Sequence, residues 1–161
     1  MISALRRHIR MENGLLIKAL SADCAEWAAL ADYAASVSWR AGPYLARRMR
    51  ENRFAPWERV FAAFDGEQPV GFCTLTAKDE LPEECAFSPF IGFVFVGEQH
   101  RGHRISQQLI AAACAYAKSL GYAHIYLTSD ERGLYEKYGF VRHSTVITAH
   151  GEKTQLFTKG L

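Results

Sequence analysis

Hydrophobic and polar positions along this chain change period several times, and each change predicts an element. The clearest stretch runs from Phe90 to Leu120. Gly92 to Val96 is a short apolar run of β-branched and aromatic residues, the pattern of a buried strand. Polar residues Gly97 to His100 interrupt it, and Arg101-Gly102-His103-Arg104-Ile105-Ser106 comes next. From Ile105 the apolar positions Leu109, Ala112, Ala113, Tyr116 and Leu120 recur at helical spacing. Gly121 supplies a C-cap, and Lys118 sits favourably in the last turn. A strand, a basic Gly-containing turn and a long helix form an anion-binding helix start, because free N–H groups and the positive end of the helix dipole face the turn.

The rest of the chain reads around that unit. Leu15 to Leu20 predicts a first strand, and residues 1–13 are basic and give no clear element. Asp23 and Glu26 have the spacing of a helix N-terminal capping pair, ahead of the stripe Trp27, Leu30, Ala31 and Ala34. Gly42-Pro43 starts a second helix with Leu45 and Met49 on one face. Trp57 to Phe64 and Pro69 to Ala77 are strand-like and joined by Asp65-Gly66-Glu67-Gln68, a strong hairpin signal. Lys78 to Pro89 is polar, contains two prolines and predicts a loop. His124 to Thr128 predicts a strand and Leu134 to Tyr138 a short helix closed by Gly139. Val141 to Thr148 and Lys153 to Thr158 predict a final hairpin. The helix between the central strand and the next one makes that pair parallel through a right-handed crossover, and the hairpins make the remainder antiparallel. The expected class is α/β (α+β), a mixed sheet with helices on both faces.

Composition narrows this picture modestly. The 161 residues suit one domain, 49% hydrophobic and 22% charged, as in an ordinary globular protein. No apolar run approaches the ~20 residues of a membrane span, and the N-terminus lacks a signal-like apolar segment, so a cytoplasmic location is expected. Cys24, Cys73, Cys85 and Cys114 show no CxxC or Cys/His metal spacing, which predicts reduced thiols and no metal. The net charge of +2 gives little support to nucleic-acid binding. The arginines nevertheless cluster, as Arg6, Arg7 and Arg10 and again as Arg47, Arg48, Arg50 and Arg53. The second cluster is either a solvated helix face or a contact for a phosphate-bearing or acidic ligand.

Two motifs resemble the GCN5-related N-acetyltransferase (GNAT) superfamily. Arg101 to Ser106, after the strand ending at Val96, is similar to the family's Q/R-x-x-G-x-G/A pyrophosphate loop, although Arg104 stands where Gly is usual and Ser106 where Gly or Ala is. Leu134-Tyr135-Glu136-Lys137-Tyr138-Gly139-Phe140 is similar to the family's LYxxxGF segment. With the order of elements, the resemblance covers roughly residues 15–160 of a single domain spanning 1–161. It implies a mostly antiparallel sheet whose central parallel strands splay apart for acetyl-CoA. The pyrophosphate would lie against the N–H groups of Arg101, Gly102, His103, Arg104, Ile105 and Ser106. The pantetheine arm would pair with the backbone of Val94, Phe95 and Val96. A bulge opening the cleft would fall at Gly92 or Gly97.

The implied activity is acetyl transfer to an amine. Such a reaction needs loss of a proton from the amine, donors for the developing oxyanion, and a proton donor for the leaving thiolate. Tyr135 matches the position from which the family often draws that last donor. Glu83, Glu84, Glu98, His100 and Asp130 are candidate bases, and water can take that role in their place. Cys85 lacks the partners of a Cys/His nucleophile, and no GxxxxGK[ST] phosphate loop is present. The acceptor is expected to be a small-molecule or peptide amine, held by the first two helices, the Lys78 to Pro89 loop and the final hairpin. Trp27, Tyr33, Trp39, Tyr44 and Phe87 are candidate aromatic linings. A monomer or homodimer is expected. The alternative is a non-catalytic module of the same fold that senses acyl-CoA or a metabolite.

Overall fold

A computed structural model describes residues 9–10 and 14–161. The Arg6 and Arg7 part of the N-terminal cluster lies outside the described residues. The elements are β1 (Ile9–Arg10), β2 (Leu16–Leu20), α1 (Trp27–Ser36), α2 (Gly42–Arg50), β3 (Arg59–Asp65), β4 (Gln68–Thr76) and β5 (Phe90–Val96). A single 3₁₀ turn at Glu98–His100 comes next, then α3 (Ile105–Ser119), β6 (His124–Ser129), α4 (Leu134–Lys137), β7 (Val141–Ile147) and β8 (Lys153–Gly160). The strands form one eight-stranded sheet in the order β1-β2-β3-β4-β5-β6-β8-β7. Its β5–β6 pair is parallel and the other neighbouring pairs are antiparallel.

Strand alternation sends side chains to two cores. Phe61 and Ala63 of β3 join Leu109, Ala113 and Ala117 of α3 on one face. Val60, Ala62 and Phe64 join Leu30 of α1 and Leu45 and Met49 of α2 on the other. The apolar stripes of all three long helices are therefore buried against a sheet that separates them, as the helical periodicity requires. Gly42 lets α2 fold tightly against α1, because a Cβ there would collide with the Ala34 carbonyl. The α3 helix ends at Gly121 (φ +93), with Gly121 N–H donating to Lys118 O and Tyr122 N–H to Ala117 O, the two bonds of a Schellman turn.

Two expectations are corrected. The Asp23/Glu26 capping box does not close on α1: no side chain caps the helix at Glu26, whose carboxylate instead pairs with Lys18 at 2.9 Å. A cation eight positions earlier competes for the same group, which local spacing does not reveal. The central bulge is at neither Gly92 nor Gly97. Phe72 pairs with Phe95 and Thr74 with Gly92, so β5 carries one extra residue, and Phe93 there adopts φ +48. This is a conformation that bulky residues rarely take, and the Phe93 ring makes an edge contact with Trp39, 6.3 Å between centroids.

Candidate functional site

Parallel strands β5 and β6 are joined at a single register pair, Phe90 with Tyr126, and by Tyr126 N–H donating to Pro89 O at 3.0 Å. Beyond that point they part. A cavity of about 930 Å³ opens between Ile91 to Val96 on one side and Leu127 to Glu131 on the other, with Ser106 and Tyr135 in its lining. The edge of β5 that faces this gap has no strand partner past Phe90, so its backbone is free to bind an extended ligand arm.

The sequence-predicted loop sits at one end of the gap. Val94, Phe95, Val96, Arg101 and Ser106 line the cavity. Gly102 (φ +83), His103 and Arg104 form the exposed turn beside it, and Ile105 is a core residue whose N–H starts α3. The first bond of that helix end is Gln108 N–H to Arg104 O, 3.2 Å, which leaves the N–H groups of Ile105, Ser106 and Gln107 at the open N-terminus. Arg101 folds back on the strand: its Nε donates to Val96 O at 3.1 Å and its guanidinium stands 5.9 Å from the centre of the Phe95 ring. Arg104 has φ +60, the left-handed conformation. Glycine suits that position because it enters this region without a Cβ clash.

The second motif borders the same gap. Helix α4 closes through Gly139 (φ +91), with Gly139 N–H to Glu136 O and Phe140 N–H to Tyr135 O, again a Schellman turn. The apolar contact that accompanies such turns is the Tyr135–Phe140 pair, with ring centroids 6.3 Å apart. LYEKYGF is therefore a structural unit that fixes the Tyr135 ring. Tyr135 is 8% exposed, and Ser129 lines the same cavity. Burial first, and then the nearby Glu131 carboxylate, push the Tyr135 pKa up to about 12, while the polar Ser129 side chain pulls the other way. The phenol is protonated throughout the physiological range. The Ser106 and Tyr138 hydroxyls lie 2.9 Å apart and tie the two motifs together.

Other candidate residues separate. Asp130 lines the cleft, whereas Glu83, Glu84 and Glu98 do not. His100 lines a different hollow of about 440 Å³ with Tyr33 and Gly97. Of the candidate aromatics, Trp39 and Tyr44 border the site. Trp27 is core and donates to Met49 O, Tyr33 packs on Phe72, and Phe87 packs on Tyr126. Sequence reasoning missed Asp79, whose Oδ2 accepts from Thr128 Oγ1 at 2.7 Å, and Ser129, because tertiary packing alone brings Asp79 to Thr128 and Ser129 to the gap. Among the described residues no His/Cys/Asp/Glu group is arranged to hold a metal, and no helix is long and apolar enough to cross a membrane.

The sequence profile described as the Acetyltransferase (GNAT) family matches residues 22–140 of the chain. No curated protein matches the sequence. Solved structures share the fold. An aminoglycoside 6'-acetyltransferase type Ii matches at TM-score 0.70 and 19% identity, over 89% of this chain and 96% of that one. An aminoglycoside 6'-N-acetyltransferase complexed with coenzyme A matches at TM-score 0.65 and 15% identity, over 89% and 96%. The NatC complex bound to Gag peptide and CoA matches at TM-score 0.65 and 20% identity, over 91% of this chain and 98% of that one.

Proposed function

The chain belongs to the acetyltransferase (GNAT) family, and on that premise we propose that it transfers the acetyl group of acetyl-CoA to an amine in the gap between β5 and β6. One observation carries the reading: a single gap is lined by the open N-terminus of α3, the unpaired edge of β5 and the side chain of Tyr135. The residues fit the donor substrate. N–H groups of the turn from Arg101 to Ser106 suit a pyrophosphate, and the β5 edge at Val94 to Val96 suits an amide-bearing arm. Structures of the same fold that hold CoA support CoA as the donor's carrier.

Acetyl-CoA supplies an activated carbonyl. The amine nitrogen forms the new N–C bond, the C–S bond breaks with its electron pair on sulfur, and the proton lost by nitrogen ends on the thiol. A backbone N–H on the open edge of β5 serves as donor to the carbonyl oxygen. Tyr135 serves the sulfur. With its pKa near 12 against ~8.5 for an ordinary thiol, complete proton transfer from Tyr135 is uphill. Its role is therefore a hydrogen bond to the departing sulfur.

The acceptors of the similar enzymes are aminoglycosides in name, and one complex holds a peptide, so a small-molecule or peptide amine is the general class proposed. The test is thiol release from acetyl-CoA with and without a panel of amines, alongside calorimetric titration with acetyl-CoA. Amine-dependent release is expected. Binding without release for any amine would identify a sensor, and absence of binding would remove the reading.

A further inference from the structure

A second cavity, of about 700 Å³, meets the donor gap at Trp39, Gly92, Phe93 and Thr128, which line both. It lies where an acceptor has to enter if the proposed function holds, and the assignment of its ligand rests on that reading. Its lining is charged in an uneven way. Arg47, Arg48 and Arg53 of the α2 region and Lys78 after β4 contribute cations, while Asp79 and Glu80 contribute the carboxylates. Arg47 and Arg53 share Glu51 as partner, at 2.9 and 2.6 Å. Glu80 stands 4.0 Å from His150 of the final hairpin.

Arg48 and Lys78 differ from these. Among the described residues neither has a carboxylate partner. The half-buried Arg48 is nevertheless held in place: its Nε donates to Arg53 O at 3.1 Å and its guanidinium covers the Phe54 ring at 4.8 Å. That arrangement leaves its other N–H groups without a protein anion. Asp79 is the oppositely charged counterpart at the junction, fixed by Thr128 Oγ1 and by the Glu80 N–H at 2.8 Å. A cavity with a fixed, unneutralised guanidinium on one wall and a fixed carboxylate beside the donor gap matches a ligand with both charges.

We propose that the acceptor is an anionic amine: its ammonium end meets Asp79 beside the donor gap, and its phosphate or carboxylate meets Arg48 and Lys78. Amines with additional positive charges are disfavoured by the same cations. Acetylation removes the charge that Asp79 holds, which weakens the grip on the product.

The experiment measures kcat/KM by thiol release for matched acceptors. Glucosamine 6-phosphate is compared with glucosamine, glycine with glycinamide, and spermidine serves as the polycation. The anionic member of at least one pair is expected to exceed its uncharged partner by roughly tenfold or more, the size of a charge-assisted contact. Which pair responds separates phosphate from carboxylate. Arg48→Gln and Lys78→Gln, each checked for intact acetyl-CoA affinity, should reduce that preference severalfold. Arg50→Gln, the loss of a charge paired with Asp32 at 2.8 Å outside the cavity, should leave it unchanged. Preference for glucosamine, glycinamide or spermidine, failure of both anionic members, or an unchanged preference in Arg48→Gln would each overturn the proposal. Acetyl-CoA titration reports separately on the donor gap, so its failure would strike the proposed function instead.

Discussion

The hydroxyls of Ser106 and Tyr138 are 2.9 Å apart, and through them the start of α3 is bonded to the LYEKYGF segment. The residues are 32 positions apart in sequence, yet they join the two motifs that border one gap. The bond keeps the open helix N-terminus in fixed relation to Tyr135. Ser106→Ala and Tyr138→Phe should each cost about 1 kcal/mol of stability, with a coupling of about 0.5–1.5 kcal/mol in a double-mutant cycle. Chemical denaturation of the four proteins checks this; additive losses would show that the contact carries no energy.

Tyr135→Phe should lower kcat on the order of tenfold to a hundredfold while acetyl-CoA affinity is retained, since a donor to the sulfur is lost and the ring packing is kept. The raised pKa also sets a pH window. The unfolded phenol ionises near 10 and the folded one near 12, so burial of the neutral form is fully stabilising below pH 10 and that contribution is lost as pH rises from 10 to 12. Alkaline denaturation curves of wild type and Tyr135→Phe should diverge within that window and run parallel below it.

Arg104 places a side chain on left-handed backbone, φ +60. A non-glycine residue there costs about 1–2 kcal/mol, and glycine gives back roughly 0.4–1 kcal/mol through the unfolded chain. Arg104→Gly should therefore raise stability by up to ~1 kcal/mol, whereas Arg104→Ala should not. Thermal denaturation of the two variants separates the backbone effect from loss of the charge.

Glu58 is 7% exposed, its two carboxylate oxygens accepting from Ala55 N–H and Ala77 N–H, each at 2.6 Å. Ala77 precedes Lys78 and Asp79, so this carboxylate anchors the segment that carries them. Glu58→Ala leaves both donors without that acceptor and should cost about 2–4 kcal/mol. Glu58→Gln, with one acceptor oxygen retained, should cost less. A urea midpoint unchanged in Glu58→Ala would contradict the anchoring role.

Much of this architecture was legible in the sequence because periodicity reports which face of an element is buried. The shift from the apolar run ending at Val96 to the helical spacing from Ile105 marked β5 and α3, and the LYEKYGF string marked a turn whose Gly139 and Phe140 have physical jobs. A bulge in β5 was implied by the resemblance, but its place was not legible. A phenylalanine at φ +48 contradicts local preference, and its ring meets Trp39, which the α1–α2 corner brings in from far along the chain. The same limit hid Asp79. Its significance lies in the bond to Thr128, 49 residues away, which no local pattern encodes. The base candidates Glu83 and Glu84 were close in sequence to the right loop, but they do not line the cleft.

Everything proposed for the chemistry depends on where the donor binds, and a crystal structure with CoA decides that. The pyrophosphate is expected against the N–H groups between Arg101 and Ser106, and the pantetheine arm along the open edge of β5 at Val94 to Val96. The sulfur should then lie within hydrogen-bond reach of the Tyr135 hydroxyl. CoA bound outside the β5–β6 gap, or within it with its sulfur remote from Tyr135, would refute the donor site and the role of Tyr135 with it.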